Sequence, residues 1–271
     1  MKNTIISLAA ATLLLASATM AFAGNKKGSK VIAHRGYWKA VAEQTQNSRA
    51  AMQHAFDQNF YGSETDVWIT TDGTLMVNHD PSFGGVTIQS STYDQCKDLT
   101  LSNGEKMPRL EDFLVMLQGS KTKTKLIIEI KSNGNANRDV AAAYEAVRLV
   151  KEKKLQKRVE YISFSEVACV ALHAADPKAK IAYLSGDKSP AELRKLGLTG
   201  FDYTLKNVRE NPTWIDEAHK LGLTVNLWTL NSEADIKEAN RIGAVYVTTN
   251  EPGRARTIKQ AFEADPASAE K

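Results

Sequence analysis

Short runs of apolar and β-branched residues alternate along this chain with longer segments in which apolar residues recur at helical spacing. The short runs predict eight strands: Val31–His34, Gly62–Val67, Leu126–Lys131, Val159–Phe164, Ile181–Ser185, Gly200–Leu205, Thr224–Leu230 and Ala244–Thr248. The longer segments predict eight helices: Ser48–Gln58, Leu110–Leu117, Asn137–Lys153, Glu166–Ala175, Pro190–Leu196, Thr213–Leu221, Glu233–Ile242 and Pro252–Ala264. Because parallel neighbours need crossover helices, this strict alternation predicts a parallel sheet.

The number of strand–helix units and the chain length indicate how the sheet is arranged. Repeating the unit eight times over roughly 250 residues is typical of a closed (β/α)₈ TIM barrel in the α/β class. An open doubly wound sheet is the alternative. We disfavour it because the sequence contains no glycine-rich nucleotide loop.

One connection is too long for a simple strand–helix loop. Residues 68–109 separate the second strand from its helix, and they begin with a hairpin pattern whose turn is Thr71-Asp72-Gly73. Long connections in compact domains are usually functional, and in a barrel such loops lie at the carboxyl ends of the strands. We therefore expect an insertion that covers one side of the barrel mouth.

The first 23 residues have the pattern of a secretory signal peptide, with Lys2, an apolar stretch and Ala21-Phe22-Ala23 before Gly24. The prediction is a leader at 1–23, a barrel domain at 24–271 and a periplasmic or secreted location. An uncleaved anchor is disfavoured because the apolar stretch is short. The residue directly after the predicted cleavage point is Gly24 and not a cysteine, and no later apolar run reaches the roughly 20 residues of a spanning helix, so no stable membrane anchor is expected.

Charge and cysteine content exclude little. Removing Lys2 with the leader changes the formal net charge from +4 to +3, and no run of basic residues suggests a nucleic-acid partner. Cys96 and Cys169 can pair in an oxidising compartment, but two buried free thiols are equally compatible with the sequence. The oligomeric state stays open.

Polar residues occupy the carboxyl ends of three predicted strands and the insertion, and in a barrel these positions converge on one mouth. They are His34, Arg35, Glu64, Asp66, His79, Glu129 and Lys131. Each pair of residues on the second and third strands is spaced by two, so both members face the same side.

Three of these residues are carboxylates, which repel one another when they are brought together without a compensating charge. Glu64, Asp66 and Glu129 offer only oxygen ligands, which select a hard cation such as Mg²⁺ or Ca²⁺. The alternative is an ordinary ion pair between Glu64 and Lys131 or Arg35. The sequence thus predicts a site for one divalent cation.

The basic residues at the mouth suggest chemistry on a phosphate. His34 and His79 can supply one general base and one general acid, whereas the other histidines fall in predicted helices. Arg35 presents a planar fork suited to phosphate oxygens, and Lys131 adds a point charge. A cation, an arginine and two histidines together favour phosphoryl transfer.

Four segments carry a resemblance to a known family. "AHRG" at 33–36, "ETDVWITTDGTLMVNHD" at 64–80, "IEIK" at 128–131 and "LWTLN" at 227–231 resemble the signature blocks of the glycerophosphodiester phosphodiesterase family. The resemblance implies a barrel with an insertion after its second strand. It also implies metal-dependent hydrolysis of glycerophosphodiesters, which are small molecules, to sn-glycerol 3-phosphate and an alcohol.

By matching block, the resemblance implies roles for individual residues. The metal ligands fall on Glu64, Asp66 and Glu129, the acid–base pair on His34 and His79, and the phosphate contacts on Arg35 and Lys131. It also places Trp228 against the apolar edge of the glycerol moiety.

The sequence departs from the family pattern before the first helix, where Glu-Asn-Thr is common and this chain has Gln46-Asn47-Ser48. We expect Asn47 to cap the helix and to lie near the metal and substrate. Gln46 removes a charge that Glu43 could replace.

Two alternatives to the leading function stay open. One is a phospholipase-type phosphodiesterase, although such an enzyme should expose apolar loops and the insertion offers only Phe83, Val86 and Ile88. The other is a noncatalytic barrel that binds phosphodiesters, which would have no need of an acid–base pair.

Overall fold

The computed structural model describes residues 27–266, and the predicted leader at 1–23 lies outside this range. The strands are β1 Lys30–Ala33, β2 Gly62–Ile69, β3 Leu75–Val77, β4 Ser82–Phe83, β5 Val86–Thr87, β6 Lys125–Ile130, β7 Val159–Ser163, β8 Ile181–Tyr183, β9 Gly200–Thr204, β10 Thr224–Trp228 and β11 Tyr246–Thr249. The helices are α1 Arg49–Asp57, α2 Tyr93–Cys96, α3 Leu110–Gly119, α4 Ala136–Glu152, α5 Glu166–Ala175, α6 Pro190–Lys195, α7 Leu205–Glu210, α8 Trp214–Lys220, α9 Glu233–Arg241 and α10 Pro252–Ala264.

Eight parallel strands close into a barrel. Strand β1 pairs with β11 on one side and with β2 on the other, and β6 to β11 follow β2 in chain order around the circle. Residue pairs such as Val31 with Val247 and Ile32 with Gly62 fix the register at the closure. The predicted (β/α)₈ TIM barrel is confirmed, and the open sheet is excluded because the barrel has no free edge there.

The barrel interior changes from apolar to polar along the strands. Its lower layers hold a buried cluster that includes Ile32, Ile127 and Tyr246. Two residues further along the same strands, on the same face, are His34, Glu129 and Thr248. The apolar residues stabilise the closed sheet, and the polar residues above them form the site.

The insertion is an ordered structure with its own small core. Strand β2 continues to Ile69 and pairs antiparallel with β3, with Val67 opposite Val77, so the predicted hairpin is confirmed. The insertion starts about two residues later than expected because β2 is longer. Its core contains Trp68, Met76, Ile88, Cys96, Leu101 and Met107.

Local differences from the sequence expectation have simple causes. Helix α7 was not expected. Thr204 begins it, because its hydroxyl oxygen accepts a hydrogen bond from the amide of Asn207 and the Asn207 side chain returns to the Thr204 amide. At α1 the capping residue is Ser48, which accepts from the amide of Ala51, so the capping role expected for Asn47 is wrong.

Both cysteines are free and buried, Cys96 in the insertion core and Cys169 in the main core. Burial raises the pKa of Cys169 to about 12. Burial also raises the pKa of Cys96, and of the two possibilities left by the sequence, the unpaired one is observed. Within residues 27–266, no helix combines the length and apolar character needed to cross a bilayer.

Candidate active site

The carboxyl ends of the barrel strands enclose a pocket of about 150 Å³. Its walls include seven of the residues that the sequence singled out: His34, Arg35, Glu64, His79, Glu129, Lys131 and Trp228. Asp66 lies buried behind them and contacts Lys131 and Arg35. Asn47 lines an adjoining cleft that shares Arg35 and His79 with the pocket. The structure therefore brings all nine predicted residues to one region.

Three carboxylates from two neighbouring strands meet at the mouth. Glu64, Asp66 and Glu129 each offer one oxygen, and these oxygens lie within 4.8 Å of one another. The pairing of β2 with β6 places Asp66 directly beside Glu129. Because Glu64 and Asp66 are two residues apart on β2, their side chains share a face.

Burial and mutual repulsion make this cluster costly when it is charged. Burial, followed by the charges of Asp66 and Glu129, raises the pKa of Glu64 well above its usual range. Burial and Asp66 raise the pKa of Glu129 to about 7. The carboxylates thus lack enough positive charge from the protein alone to stay fully ionised.

The charge that the protein does supply is directed at Asp66. Burial opposes ionisation of this carboxyl group, but Lys131, Asn47 and Arg35 outweigh it and lower the pKa of Asp66. The Nζ of Lys131 lies 3.2 Å from Asp66 and 2.8 Å from Glu129. Asp66 is therefore the anchor of the cluster, and Glu64 is its least compensated member.

Asn47 holds Asp66 in place. Its side-chain amide donates to Asp66 Oδ2 at 2.8 Å, and its oxygen accepts from the hydroxyl of Thr65 at 2.9 Å. The residue has a left-handed backbone (φ 53°), a conformation that asparagine tolerates better than most residues. This geometry aims the amide at the carboxylate cluster.

Arg35 is positioned by both its backbone and its side chain. Its amide donates to Glu64 Oε2 at 2.7 Å, and its Nη1 donates to Gln46 Oε1 at 2.6 Å. Gln46, the departure from the family pattern, therefore orients the arginine. Glu43, the residue that could have replaced the missing charge, is exposed and does not belong to the carboxylate cluster.

His34 follows β1 and is buried at the pocket wall. Burial and the nearby charge of Arg35 lower its pKa to about 4. Its Nδ1 lies 2.7 Å from Oδ1 of Asn250, which also accepts from the indole nitrogen of Trp38 at 3.4 Å. At neutral pH the ring is uncharged and has a fixed partner.

His79 reaches the pocket from the loop after β3. Its Nδ1 lies 2.7 Å from a carboxylate oxygen of Asp80. The backbone oxygen of His79 accepts from the indole N–H of Trp68 at 3.2 Å, which connects this loop to the core of the insertion. The two histidines thus have different partners, an amide for His34 and a carboxylate for His79.

Apolar residues cover the side of the pocket opposite the charges. Trp228 ends β10 and packs edge-on against Phe164, with the ring centroids 5.6 Å apart. The indole N–H donates to the backbone oxygen of Asp202 at 2.9 Å. An apolar wall facing a charged one suits a ligand with a phosphate at one end and a carbon skeleton at the other.

Two residues of this region were missed by the sequence reasoning. Asn250 follows β11 and forms a hydrogen bond with His34. Its position just beyond the last predicted strand could have identified it as a residue of the barrel mouth. Asp202 is a carboxylic acid within the otherwise apolar run "GFDYT" of β9, and it lines the pocket. A charge in a buried strand was the signal that could have identified it.

The carboxylate cluster fits a hard divalent cation. Oxygen Oε1 of Glu64 is buried without a hydrogen-bond partner, and all three acidic residues supply oxygen donors. A cation at this position would satisfy that oxygen and remove the repulsion described above.

The structure is a TIM barrel with acidic, basic and histidine side chains in one pocket at the carboxyl ends of its strands. This arrangement is typical of TIM-barrel enzymes. The sequence profile described as the glycerophosphoryl diester phosphodiesterase family matches residues 34–254. The chain belongs to this family, as the signature segments indicated.

Individual relatives agree with the family match. A glycerophosphodiester phosphodiesterase from Bacillus altitudinis is 24% identical over 86% of this chain and 98% of its own. The crystal structure of a glycerophosphodiester phosphodiesterase from Parabacteroides distasonis is 42% identical, with a TM-score of 0.84 over 87% of this chain and 98% of its own. An Oleispira antarctica phosphodiesterase, solved with the product sn-glycerol-3-phosphate, shares the fold at 20% identity, with a TM-score of 0.71 over 85% of this chain and 96% of its own.

Proposed function

We propose that this enzyme hydrolyses glycerophosphodiesters to sn-glycerol 3-phosphate and an alcohol, that the reaction needs one divalent cation, Mg²⁺ or Ca²⁺, and that His34 and His79 transfer the protons. The observation that carries the proposal is the pocket itself. His34 and His79, which have different hydrogen-bond partners, line one cavity together with Glu64 and Glu129 of the carboxylate cluster and with the basic residues Arg35 and Lys131.

Of the two histidines, His34 is suited to the role of general base. Its pKa of about 4 leaves the ring neutral at physiological pH, so it can accept a proton from the attacking hydroxyl of water or of the glycerol 2-position. We assign the role of general acid to His79, whose ring has a carboxylate oxygen of Asp80 at 2.7 Å from Nδ1 as its partner. His79 then protonates the leaving alcohol oxygen as its bond to phosphorus breaks. If the glycerol 2-hydroxyl is the nucleophile, this first step gives a cyclic phosphate, which water must then open to sn-glycerol 3-phosphate with the two proton-transfer roles exchanged.

The two basic side chains of the pocket are suited to binding the phosphate. Arg35 and Lys131 both line the pocket and offer positive donors to its non-bridging oxygens. A divalent ion held by Glu64, Asp66 and Glu129 would supply Lewis-acid stabilisation of the same oxygens. The apolar face of Trp228 would support the glycerol carbons.

Substrates with different leaving groups can distinguish the general acid from the general base. We expect His79→Ala to lower kcat/KM for glycerophosphocholine by about 10²- to 10⁴-fold, and to lower it far less for a glycerophosphate ester of 4-nitrophenol, which leaves without protonation. His34→Ala should impair hydrolysis of both substrates. The reverse pattern would exchange the two roles, and equal losses for both variants would contradict the division of labour.

A chelator tests the cation. Release of sn-glycerol 3-phosphate from glycerophosphocholine and glycerophosphoethanolamine should stop when divalent ions are removed and return with Mg²⁺ or Ca²⁺. Release that persists after exhaustive chelation would refute metal dependence. Binding of a diester with no turnover under any ion would support the noncatalytic alternative.

A lysophospholipid substrate is the second candidate. The insertion does not offer an exposed apolar surface for a lipid chain, because Ile88 is buried and Phe83 and Val86 pack on the insertion core. Phe164 at the pocket rim is exposed, however, and so are Val167 and Val170 on the adjoining helix α5. Faster hydrolysis of lysophosphatidylcholine than of glycerophosphocholine would favour this candidate.

We also propose that the protein is exported, on the strength of the leader pattern at 1–23. Amino-terminal sequencing of the protein from the periplasm or medium should begin at Gly24. A cytoplasmic protein that retains Met1 would refute export.

A further inference from the structure

We infer that Asp202 and Thr248 form a hydroxyl-binding floor of the pocket, and that this floor recognises the terminal hydroxyl of the glycerol moiety. The inference rests on the proposed function and adds a specificity-determining pair of residues to it. Both side chains line the same pocket as His34 and Trp228, but neither belongs to the carboxylate cluster.

The first observation is an unpartnered polar atom. Asp202 is 1% exposed, and its Oδ2 accepts a hydrogen bond from Asn226 Nδ2 at 2.7 Å. Its other oxygen, Oδ1, is buried without any hydrogen-bond partner. A buried polar group left unpaired is unfavourable, so an atom of this kind at the wall of an enzyme pocket points to a ligand group.

The second observation is the amide that joins Asp202 to Thr248. Asn226 Nδ2 donates to Asp202 Oδ2 and, at 2.9 Å, to Thr248 Oγ1. Since Thr248 Oγ1 accepts this bond, its own hydrogen is available for donation. The floor therefore presents both a carboxyl oxygen and a hydroxyl donor, which is what a ligand hydroxyl needs, since it both donates and accepts.

The neighbouring charges argue against a cationic ligand at the floor. Burial raises the pKa of Asp202 well above its usual range, and the charge of Glu129 adds to this effect. Burial disfavours the charged form of this carboxyl group, which favours a partner that forms hydrogen bonds over one that forms an ion pair. A neutral polyol group is a better partner than an ammonium headgroup.

The position of the floor selects the glycerol moiety. Trp228, whose indole N–H is held by the Asp202 backbone oxygen, forms the apolar wall directly beside it. A three-carbon chain lying on this wall with its phosphate at Arg35 would extend its far hydroxyl toward Asp202. The pocket volume of about 150 Å³ accommodates a group of this size.

The test compares two diesters with the same ethanolamine headgroup, one built on glycerol and one on 1,2-propanediol, which lacks only the terminal hydroxyl. Asp202→Val should lower kcat/KM for the glycerol diester by about ten- to a hundredfold, since it removes a hydroxyl-binding group. It should change kcat/KM for the propanediol diester by less than about threefold. Asp202→Asn, which keeps a polar group able to bond a hydroxyl, should retain most of the discrimination.

Thr248→Val is the second variant, and it tests the hydroxyl-binding floor independently if Asp202→Val does not fold. It preserves side-chain shape and should cause a selective loss of about three- to tenfold on the glycerol diester alone. Thr199→Val, at the opposite end of the barrel, is the matched control and should leave the ratio between the two substrates unchanged. The thermal midpoint of each variant reports its folding.

Each outcome gives a clear answer. Equal losses on both diesters, or no loss on either, would overturn the inference and reduce Asp202 to a structural role. If the variants lose more kcat/KM on glycerophosphoinositol, whose leaving alcohol carries hydroxyl groups, than on the ethanolamine diester of glycerol, the assignment of the floor to the glycerol moiety would be overturned. If the wild-type protein hydrolyses neither diester, the proposed function itself fails, which is a distinguishable result.

Discussion

The side-chain oxygen of Asn250 lies between Nδ1 of His34, at 2.7 Å, and the indole nitrogen of Trp38, at 3.4 Å. An indole nitrogen only donates, so the Asn250 atom that faces it is the acceptor oxygen. Nδ1 of His34 must then carry the hydrogen, which leaves Nε2 as the basic nitrogen of the neutral ring. Asn250 is thus a positioning residue that selects the tautomer needed by a general base.

Replacing this amide tests its role. Asn250→Leu should lower kcat by about ten- to a hundredfold with little change in KM, because the tautomer and orientation of the ring are no longer fixed. Trp38→Phe, which removes only the second donor to Asn250, should have a smaller effect. Steady-state kinetics on glycerophosphocholine measure both, and a kcat for Asn250→Leu within twofold of wild type would contradict this role.

The low pKa of His34 predicts a pH dependence of stability. The folded-state pKa of about 4 lies below the unfolded value of about 6.5, so the unfolded chain binds more protons between these limits. The contribution of His34 to the free energy of unfolding should therefore fall by about 3 kcal/mol as pH decreases from 6.5 to 4, whereas the raised pKa of Glu129 contributes in the opposite direction.

Urea denaturation in chelator between pH 4 and 7 measures this effect. Relative to wild type, His34→Gln should lose less stability as pH falls from 6.5 to 4, whereas the surface control His219→Gln, on the exposed side of α8, should follow the wild-type profile. In the same buffer, the nuclear magnetic resonance signal of the His34 ring should titrate near pH 4. A midpoint near 6.5 would contradict the effect of burial.

Asn47 and Ser48 are adjacent, but we expect Asn47 to support the carboxylate cluster and Ser48 to support the stability of helix α1. Asn47→Ala removes the bond to Asp66 and should weaken binding of a divalent ion by about ten- to a hundredfold. Ser48→Ala removes the cap of α1 and the hydrogen bond that the Ser48 hydroxyl donates to the Thr45 backbone oxygen, and it should lower the free energy of unfolding by about 1 kcal/mol or more without changing ion affinity. Calorimetric titration with Mg²⁺ and Ca²⁺ gives the affinities, and equal values for the two variants would refute the distinction.

Removal of the divalent ion should lower thermal stability, because Glu64, Asp66 and Glu129 then repel one another. In chelator, Glu64→Gln should melt at or above the wild-type temperature, since one charge is gone, but it should lose most of the upward shift on adding ion. Glu160→Gln, at the other end of the barrel, should keep that shift. A Glu64→Gln protein with a wild-type shift would show that Glu64 is not a ligand.

The sequence by itself determined the barrel and most of the site. The alternation of short apolar runs with helical segments depends on local periodicity, which each stretch of chain carries independently. The polar ends of the strands were equally visible, because His34, Glu64 and Glu129 interrupt runs in which an apolar residue would be expected. Convergence at one mouth then followed from the topology of a parallel barrel.

Tertiary structure decided the partners. The hydrogen bond that His34 donates to Asn250 joins positions 216 residues apart, and the contact of Asn226 with Asp202 depends on the register of β9 against β10. The pKa of His34 likewise depends on burial and on the charge of Arg35, which exist only once the barrel has closed. Local sequence encodes each strand and its polar end, but hydrogen-bond partners and electrostatic environment come from the packing of distant segments.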